Sequence, residues 1–236
     1  MATQTSSTVR TEPSRTSPRI RALVADRTTG LPAWVFLTQL FIGLGWLRAA
    51  TEKLIESSWW NGSGIATFLA EHDELTVGWY QPILDVVVTP RLGLAAIVVV
   101  IAQLFVGVSL VSGRFVRSAL AVGIFLNLNF LAAGAVNPSA FYLLSQGAIA
   151  LWLVEQGRTA PRTPGLLRMT AIVAATLAVI SLPFVTTLHP AEVIDDPAIM
   201  LAMGGILAML GCDLAHRAAH LRRAGTRAPL VRASRD

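Results

Sequence analysis

The chain has 236 residues, of which 53% are hydrophobic and only 14% charged, with a formal net charge of +5 at pH 7. Soluble domains carry about 25% charged residues, so this composition argues against a soluble protein. The apolar residues form long runs, which predict an all-α integral membrane protein. The basic residues form no aromatic-interleaved patch, so we expect no nucleic-acid partner. The single Cys212 excludes an internal disulfide and any Cys-x-x-Cys motif.

A polar tail, residues 1–30, is rich in Thr, Ser, Arg and Pro and is predicted to be a disordered cytoplasmic segment. Six apolar segments follow, each near the roughly 20 residues that a bilayer needs. A long outer connection, residues 54–90, separates the first two and carries two predicted short helices along the membrane surface, at 64–71 and 81–88. The predicted spans are residues 32–53, 92–111, 116–136, 139–155, 166–188 (with a kink at Pro183) and 197–212.

Basic residues are distributed unevenly between the two sides of this arrangement. With the N-terminus inside, 16 of the 19 Lys and Arg residues fall on the cytoplasmic side. The outer side keeps Arg48, Lys53 and Arg91, together with acidic clusters at 71–74 and 192–196. Because cytoplasmic loops carry an excess of Lys and Arg, the pattern predicts six spans with both termini cytoplasmic, in a plasma or inner membrane.

The first span acquires charges before it leaves the bilayer. Arg48 and Glu52 are one turn apart and are placed for an ion pair, on a face about 140° from Lys53. In one interpretation, Arg48 and Lys53 extend to the outer headgroups while Glu52 neutralises Arg48. In the other, the two cations form a site for an anionic substrate or a quinone carbonyl. A second face carries Gln39, Gly43, Trp46, Ala50 and Lys53.

Amide side chains are the polar groups predicted inside the bundle, at Gln103, Asn127, Asn129 and Gln146. Such residues commonly form hydrogen bonds between membrane helices, and the alternative is that one of them donates to a bound quinone ring. Asn127 and Asn129 point in roughly opposite directions. No histidine lies within a predicted span and no histidine pair has a third ligand nearby, so we expect neither haem nor metal.

Five motifs between residues 35 and 157 form a recognisable series. They are Trp46-Leu-Arg-Ala-Ala-Thr-Glu-Lys-Leu54, Trp59-Trp60 with Phe68-Leu69, Val106-Gly-Val-Ser-Leu-Val-Ser-Gly-Arg-Phe-Val-Arg117, Asn127-Leu-Asn-Phe-Leu-Ala-Ala-Gly134 and the Asn137-Pro138 turn. These motifs, in this order, resemble the DoxX/DoxD family of membrane proteins. The resemblance implies a four-helix membrane bundle within residues 31–157. Residues 158–216 would then be an added two-span helical hairpin, and residues 217–236 a basic cytoplasmic tail.

The DoxD branch of that family is a subunit of thiosulfate:quinone oxidoreductase. The resemblance therefore implies a membrane subunit of a quinone-linked oxidoreductase that oxidises thiosulfate or a related sulfur compound. Its expected partners are the lipid bilayer and a second oxidoreductase subunit or soluble redox protein. The alternative is a non-catalytic membrane scaffold or assembly protein that recruits redox partners. The candidate catalytic residues are Arg48, Glu52 and Lys53, and the candidate quinone-binding residues are Trp46, Gln103, Asn127 and Asn129.

Overall fold

The structure is a computed structural model that describes residues 31–156, 164–187 and 195–226, with side chains up to Arg217 in the last range. These ranges are helical and contain no strand, which confirms the all-α class. The chain divides into two units after Leu37, and every contact given below lies within residues 38–236. We name the main helices α1 (Ala33–Ile55), α2 (Ser63–His72), α3 (Leu92–Ser112), α4 (Val116–Ala132), α5 (Ser139–Glu155), α6 (Pro164–Ser181) and α7 (Pro197–Thr226).

Four helical segments within the described residues are long and apolar enough to cross a membrane. The helices α4 and α5 have 17 residues each, which gives about 26 Å at 1.5 Å per residue and is at the short end for a span. Large apolar side chains such as Phe125 and Phe141 are exposed on the helix surfaces. This is a membrane protein whose helices suit a lipid bilayer. The four segments are Ala33–Ile55, Gln81–Ser112, Gly165–Phe184 and Pro197–Arg217.

The connection between α1 and α3 contains helical structure at both predicted places. The first predicted short helix is α2, while the second is continuous with α3 through turns that run from Gln81 to Arg91. The sequence predicts a helix that continues through a kink at Pro183, but in the structure the α-helix ends before this proline. The α-helix ends at Ser181, and a single 3-10 turn covers Leu182–Phe184. Proline ends the helix because it lacks a backbone N–H and its ring clashes with the preceding turn.

The helices α1 and α3 pack closely and run antiparallel. A Cβ atom added to Gly43 would lie 2.8 Å from the Val111 side chain, and one added to Gly107 would lie 2.7 Å from that of Leu47. Small residues at such contacts let membrane helices approach each other closely. Short turns join α3 to α4 and α4 to α5, the second through Asn137-Pro138, so successive helices of this bundle alternate in direction.

A buried carboxylate joins the segment that follows α6 to the start of α7. Asp196 precedes the first residue of α7, and its Oδ1 accepts hydrogen bonds from the backbone N–H groups of Ala198 (2.8 Å) and Ile199 (3.1 Å). Its Oδ2 accepts from the backbone N–H and the hydroxyl of Thr186, both at 2.8 Å. Aspartate at this position satisfies N–H groups that have no partner within the helix. The Asp196 side chain therefore holds Thr186, which follows α6, against the first turn of α7.

Candidate functional site

Arg48 and Glu52 form the predicted ion pair on the exposed side of α1. The distance from Arg48 Nε to Glu52 Oε1 is 2.8 Å, which confirms the pairing. The two side chains are 82% and 56% exposed, so neither is held inside the bundle. The remaining N–H groups of the Arg48 guanidinium are a planar fork that suits a carboxylate, phosphate or sulfur oxyanion.

Lys53 lies on a different face of α1 and does not meet Arg48. Its Nζ lies 4.7 Å from the ring centroid of Trp59 and donates to the backbone carbonyl of Ala49 at 3.4 Å. The cation over an aromatic face is stabilised by the ring quadrupole. Because five residues on a helix correspond to a rotation of about 140° between side chains, the two cations diverge along α1.

Trp46 is buried within the bundle, with 2% of its surface exposed. Its ring lies 6.4 Å from that of Phe130 on α4 and 5.8 Å from that of Tyr142 on α5, measured between centroids. The indole Nε1 is fully buried and has no hydrogen-bond partner among the described residues. Buried indole N–H groups usually donate a hydrogen bond, so Trp46 Nε1 is a donor available to a ligand or a water molecule inside the bundle.

The two asparagines of α4 belong to different parts of the bundle. Asn127 is buried and donates from Nδ2 to Gln146 Oε1 on α5 at 3.1 Å. Asn129 is half-buried and accepts from the Tyr80 hydroxyl at 2.6 Å, while its own Nδ2 donates to the Phe125 carbonyl at 2.7 Å. Burial raises the pKa of the Tyr80 phenol, so it stays protonated and a donor at neutral pH. Asn127 and Asn129 do not converge on one point.

Two glutamines complete the polar interior. Gln39 on α1 and Gln103 on α3 are each 2% exposed, and the Oε1 atom of each has no partner among the described residues. The Nε2 atom of Gln146 is likewise buried and unpaired there. An unpaired buried donor or acceptor costs about 1–3 kcal/mol. Gln146 was predicted as an interior amide but was not among the quinone-binding residues. Gln39 was absent from the predicted site, although its position on the face of Trp46 and Lys53 was a signal for it.

The remaining polar features lie in the connections outside the bundle interior. A cavity of about 360 Å³ is lined by residues that include Asp73, Gln81 and Asp85, and a second of about 440 Å³ by residues that include Glu74 and Asp196. Neither is lined by a predicted site residue. In the part of the chain that the structure describes, no three His, Cys, Asp or Glu side chains are grouped so that they could hold a metal ion.

Comparison of the chain with protein-family models, with curated proteins and with solved structures finds no match. The DoxX/DoxD resemblance therefore stays a prediction that depends on the motifs alone.

Proposed function

We propose that this protein is a membrane subunit of a quinone-linked oxidoreductase of the DoxX/DoxD type, which oxidises thiosulfate or a related sulfur compound. The observation that carries the proposal is the set of buried, partly unpaired amide and indole groups at the centre of an apolar helix bundle. Buried polar groups without partners lower the stability of a membrane protein. Polar residues inside membrane helices are therefore commonly found at functional sites.

The proposed site has a cationic part and a neutral part. Arg48 and Lys53, at the outer end of α1, would hold the anionic sulfur compound or a quinone carbonyl, and Glu52 would orient Arg48 through their ion pair. Trp46, Gln103, Asn127 and Asn129 would supply the hydrogen-bonding and aromatic groups toward the quinone ring. The divergence of Arg48 and Lys53 along α1 means that a ligand would bridge them only from beyond the helix end.

The proposed topology has six membrane spans with both termini in the cytoplasm of a bacterial cell, in its plasma (inner) membrane. The short helices α4 and α5 would then cross the bilayer beside α1 and α3. Their 17 residues lie at the lower limit for spanning, and each carries exposed large apolar side chains such as Phe125 and Leu144. The distribution of basic residues supports this orientation.

The direct test is thiosulfate-dependent quinone reduction in membranes prepared with and without the protein. Membranes that contain it should reduce a short-chain quinone faster when thiosulfate is added, and the same membranes without thiosulfate provide the background. Equal rates with and without the protein would exclude the enzymatic role.

The exposed charges favour a second candidate, a scaffold or assembly protein. Arg48 and Glu52 are accessible at the surface of α1, where a protein partner could bind them. Purification in mild detergent distinguishes the two functions. A quinone in the lipid extract supports the oxidoreductase, and a stoichiometric redox polypeptide without quinone supports the scaffold.

A further inference from the structure

The four unpaired polar atoms inside the bundle come from three of its helices. They are Gln39 Oε1 and Trp46 Nε1 on α1, Gln103 Oε1 on α3 and Gln146 Nε2 on α5. Two of them are acceptors and two are donors. Hydrocarbon offers no hydrogen-bond partner, so groups of this kind in a bilayer are satisfied by protein or by enclosed water.

The order of these atoms along the bundle follows from the helix contacts. Gln39 and Trp46 are two turns apart on α1, about 10 Å. Tyr142 contacts the Trp46 ring, and Gln146 follows Tyr142 by one turn on α5. Because α5 runs antiparallel to α1, Gln146 lies at a level between Gln39 and Trp46.

The position of Gln103 extends the series toward the outer end of α1. Gly107 on α3 faces Leu47, and Gln103 precedes Gly107 by one turn. Since α3 runs antiparallel to α1, Gln103 lies about one turn beyond Trp46. The half-buried Lys53 follows on the same face of α1. Successive groups are therefore separated by about one helical turn, roughly 5 Å along the axis.

Two hydrogen bonds of about 2.8 Å through one water molecule span up to about 5.6 Å, so one bridging water covers a difference in level of about one helical turn between polar atoms that face the same interior space. We propose that the bundle holds a file of water molecules along Gln39, Gln146, Trp46 and Gln103, and that this file opens to the outer face beside Lys53. The amides and the indole hold the water, and the water carries protons between the outer face and the centre of the bundle.

The file itself does not depend on the proposed function, but its role in catalysis rests on it. A quinone takes up two electrons and two protons when it becomes a quinol. In the proposed oxidoreductase the sulfur compound supplies the two electrons, and the file supplies the two protons from the outer face.

The test is hydrogen–deuterium exchange of the Trp46 indole N–H in the full-length protein, reconstituted in lipid nanodiscs without added quinone. Labelling tryptophan with ¹⁵N gives a separate NMR signal for each indole, and Trp46→Phe assigns the relevant one. A water file predicts that Gln103→Leu slows exchange of the Trp46 N–H at least tenfold. Gln81→Leu is the matched control, because Gln81 lies in the outer connection, and it should leave the rate unchanged.

Equal exchange rates for Trp46 in the wild type and in Gln103→Leu would overturn the proposal, as would equal slowing by Gln81→Leu. Gln103→Met, which keeps the length of the side chain but removes its amide, provides a second variant if Gln103→Leu fails to fold, with the same expected slowing. The quinone-reduction assay is separate from this experiment. A file without thiosulfate-dependent reduction would leave the inference standing and exclude the oxidoreductase, and the reverse result would exclude only the file.

Discussion

Arg48 and Glu52 form an ion pair on the exposed face of α1, about seven residues before the helix ends. Charge at that depth is costly in a bilayer, and the pairing together with the length of the arginine side chain lowers the cost. The pair neutralises the net charge but leaves guanidinium N–H groups for an anion. If the pair binds an anion, binding depends on the position of the guanidinium group. Exchanging the two charged residues tests this dependence.

Exchanging the two charges separates a structural pair from an anion site. In the variant with Arg48→Glu and Glu52→Arg the ion pair can form again, but the cation moves by one turn, about 6 Å. If Arg48 holds the sulfur compound, each single substitution and the double variant should lose at least tenfold of the thiosulfate-dependent quinone reduction. Wild-type activity in the double variant, with loss in both singles, would show that the pair serves only stability.

Asp196 makes the stability of the α6–α7 connection depend on pH. Burial by itself raises the pKa of this carboxyl, but the hydrogen bonds from Thr186, Ile199 and Ala198 outweigh it and hold the pKa below its ordinary value of 3.8. A carboxyl with a lowered pKa in the folded state stabilises the protein above its unfolded pKa, and this stabilisation is lost as the pH falls through the folded value.

We expect Asp196→Asn to lower the free energy of unfolding by about 1–3 kcal/mol at pH 6, since an amide cannot accept all of these bonds. The difference between wild type and variant should shrink below about pH 4, as the wild-type carboxyl becomes protonated. Thermal unfolding in detergent between pH 3 and pH 7 measures it. A difference that is constant over this range would contradict the assignment.

At the scale of elements, close helix contacts depend on individual glycines. Gly205 on α7 faces α6, and a Cβ atom there would lie 2.5 Å from the Ala174 carbonyl oxygen and 2.9 Å from the Ala178 Cβ. Gly211 lies further along α7, and a Cβ there would have no atom within 4 Å. The two glycines have the same chemistry and opposite surroundings, so they make a matched pair for mutation.

Gly205→Val should destabilise the packing of α6 on α7 by about 1–3 kcal/mol, because the added methyl groups force the backbones apart. Gly211→Val should leave stability unchanged within about 0.5 kcal/mol or increase it slightly, since valine favours a helix more than glycine does. The measurement is the thermal unfolding midpoint of both variants in the same detergent. Equal effects would mean that contact with α6 does not explain the difference.

Helix positions were largely readable from the sequence because long apolar runs bounded by Gly, Pro or charge leave few alternatives. The predicted starts at 92, 116, 139 and 197 agree with the starts of α3, α4, α5 and α7. The end of α6 was not readable in the same way. A proline within an apolar run can either kink a membrane helix or end it, and the choice depends on whether neighbouring groups satisfy the freed carbonyls.

At the scale of the whole molecule, the topology decides which residues can meet a substrate from outside. The proposed orientation places the connection that contains Ser63 outside and the α3–α4 turn, which follows Ser112, the last residue of α3, inside. Both serines are exposed in the structure, so a cysteine at either position would be accessible on its own side.

In a Cys212→Ser background, a membrane-impermeant maleimide should label Ser63→Cys in intact cells. It should label Ser112→Cys only after the cells are permeabilised. The unsubstituted background, which has no cysteine, controls for non-specific labelling. Labelling of Ser112→Cys in intact cells, with protection of Ser63→Cys, would reverse the topology and place Arg48 and Lys53 on the cytoplasmic side.

The sequence by itself determined the membrane class, the helical elements and the divergence of Arg48 from Lys53, because hydropathy, helix periodicity and charge are local properties. It did not determine that Asn127 pairs with Gln146 while Asn129 pairs with Tyr80, since each amide can bond to any facing helix. Only the tertiary structure chose those partners. It also left Gln39, Trp46, Gln103 and Gln146 buried with unpaired atoms, because burial and register depend on all packed helices together.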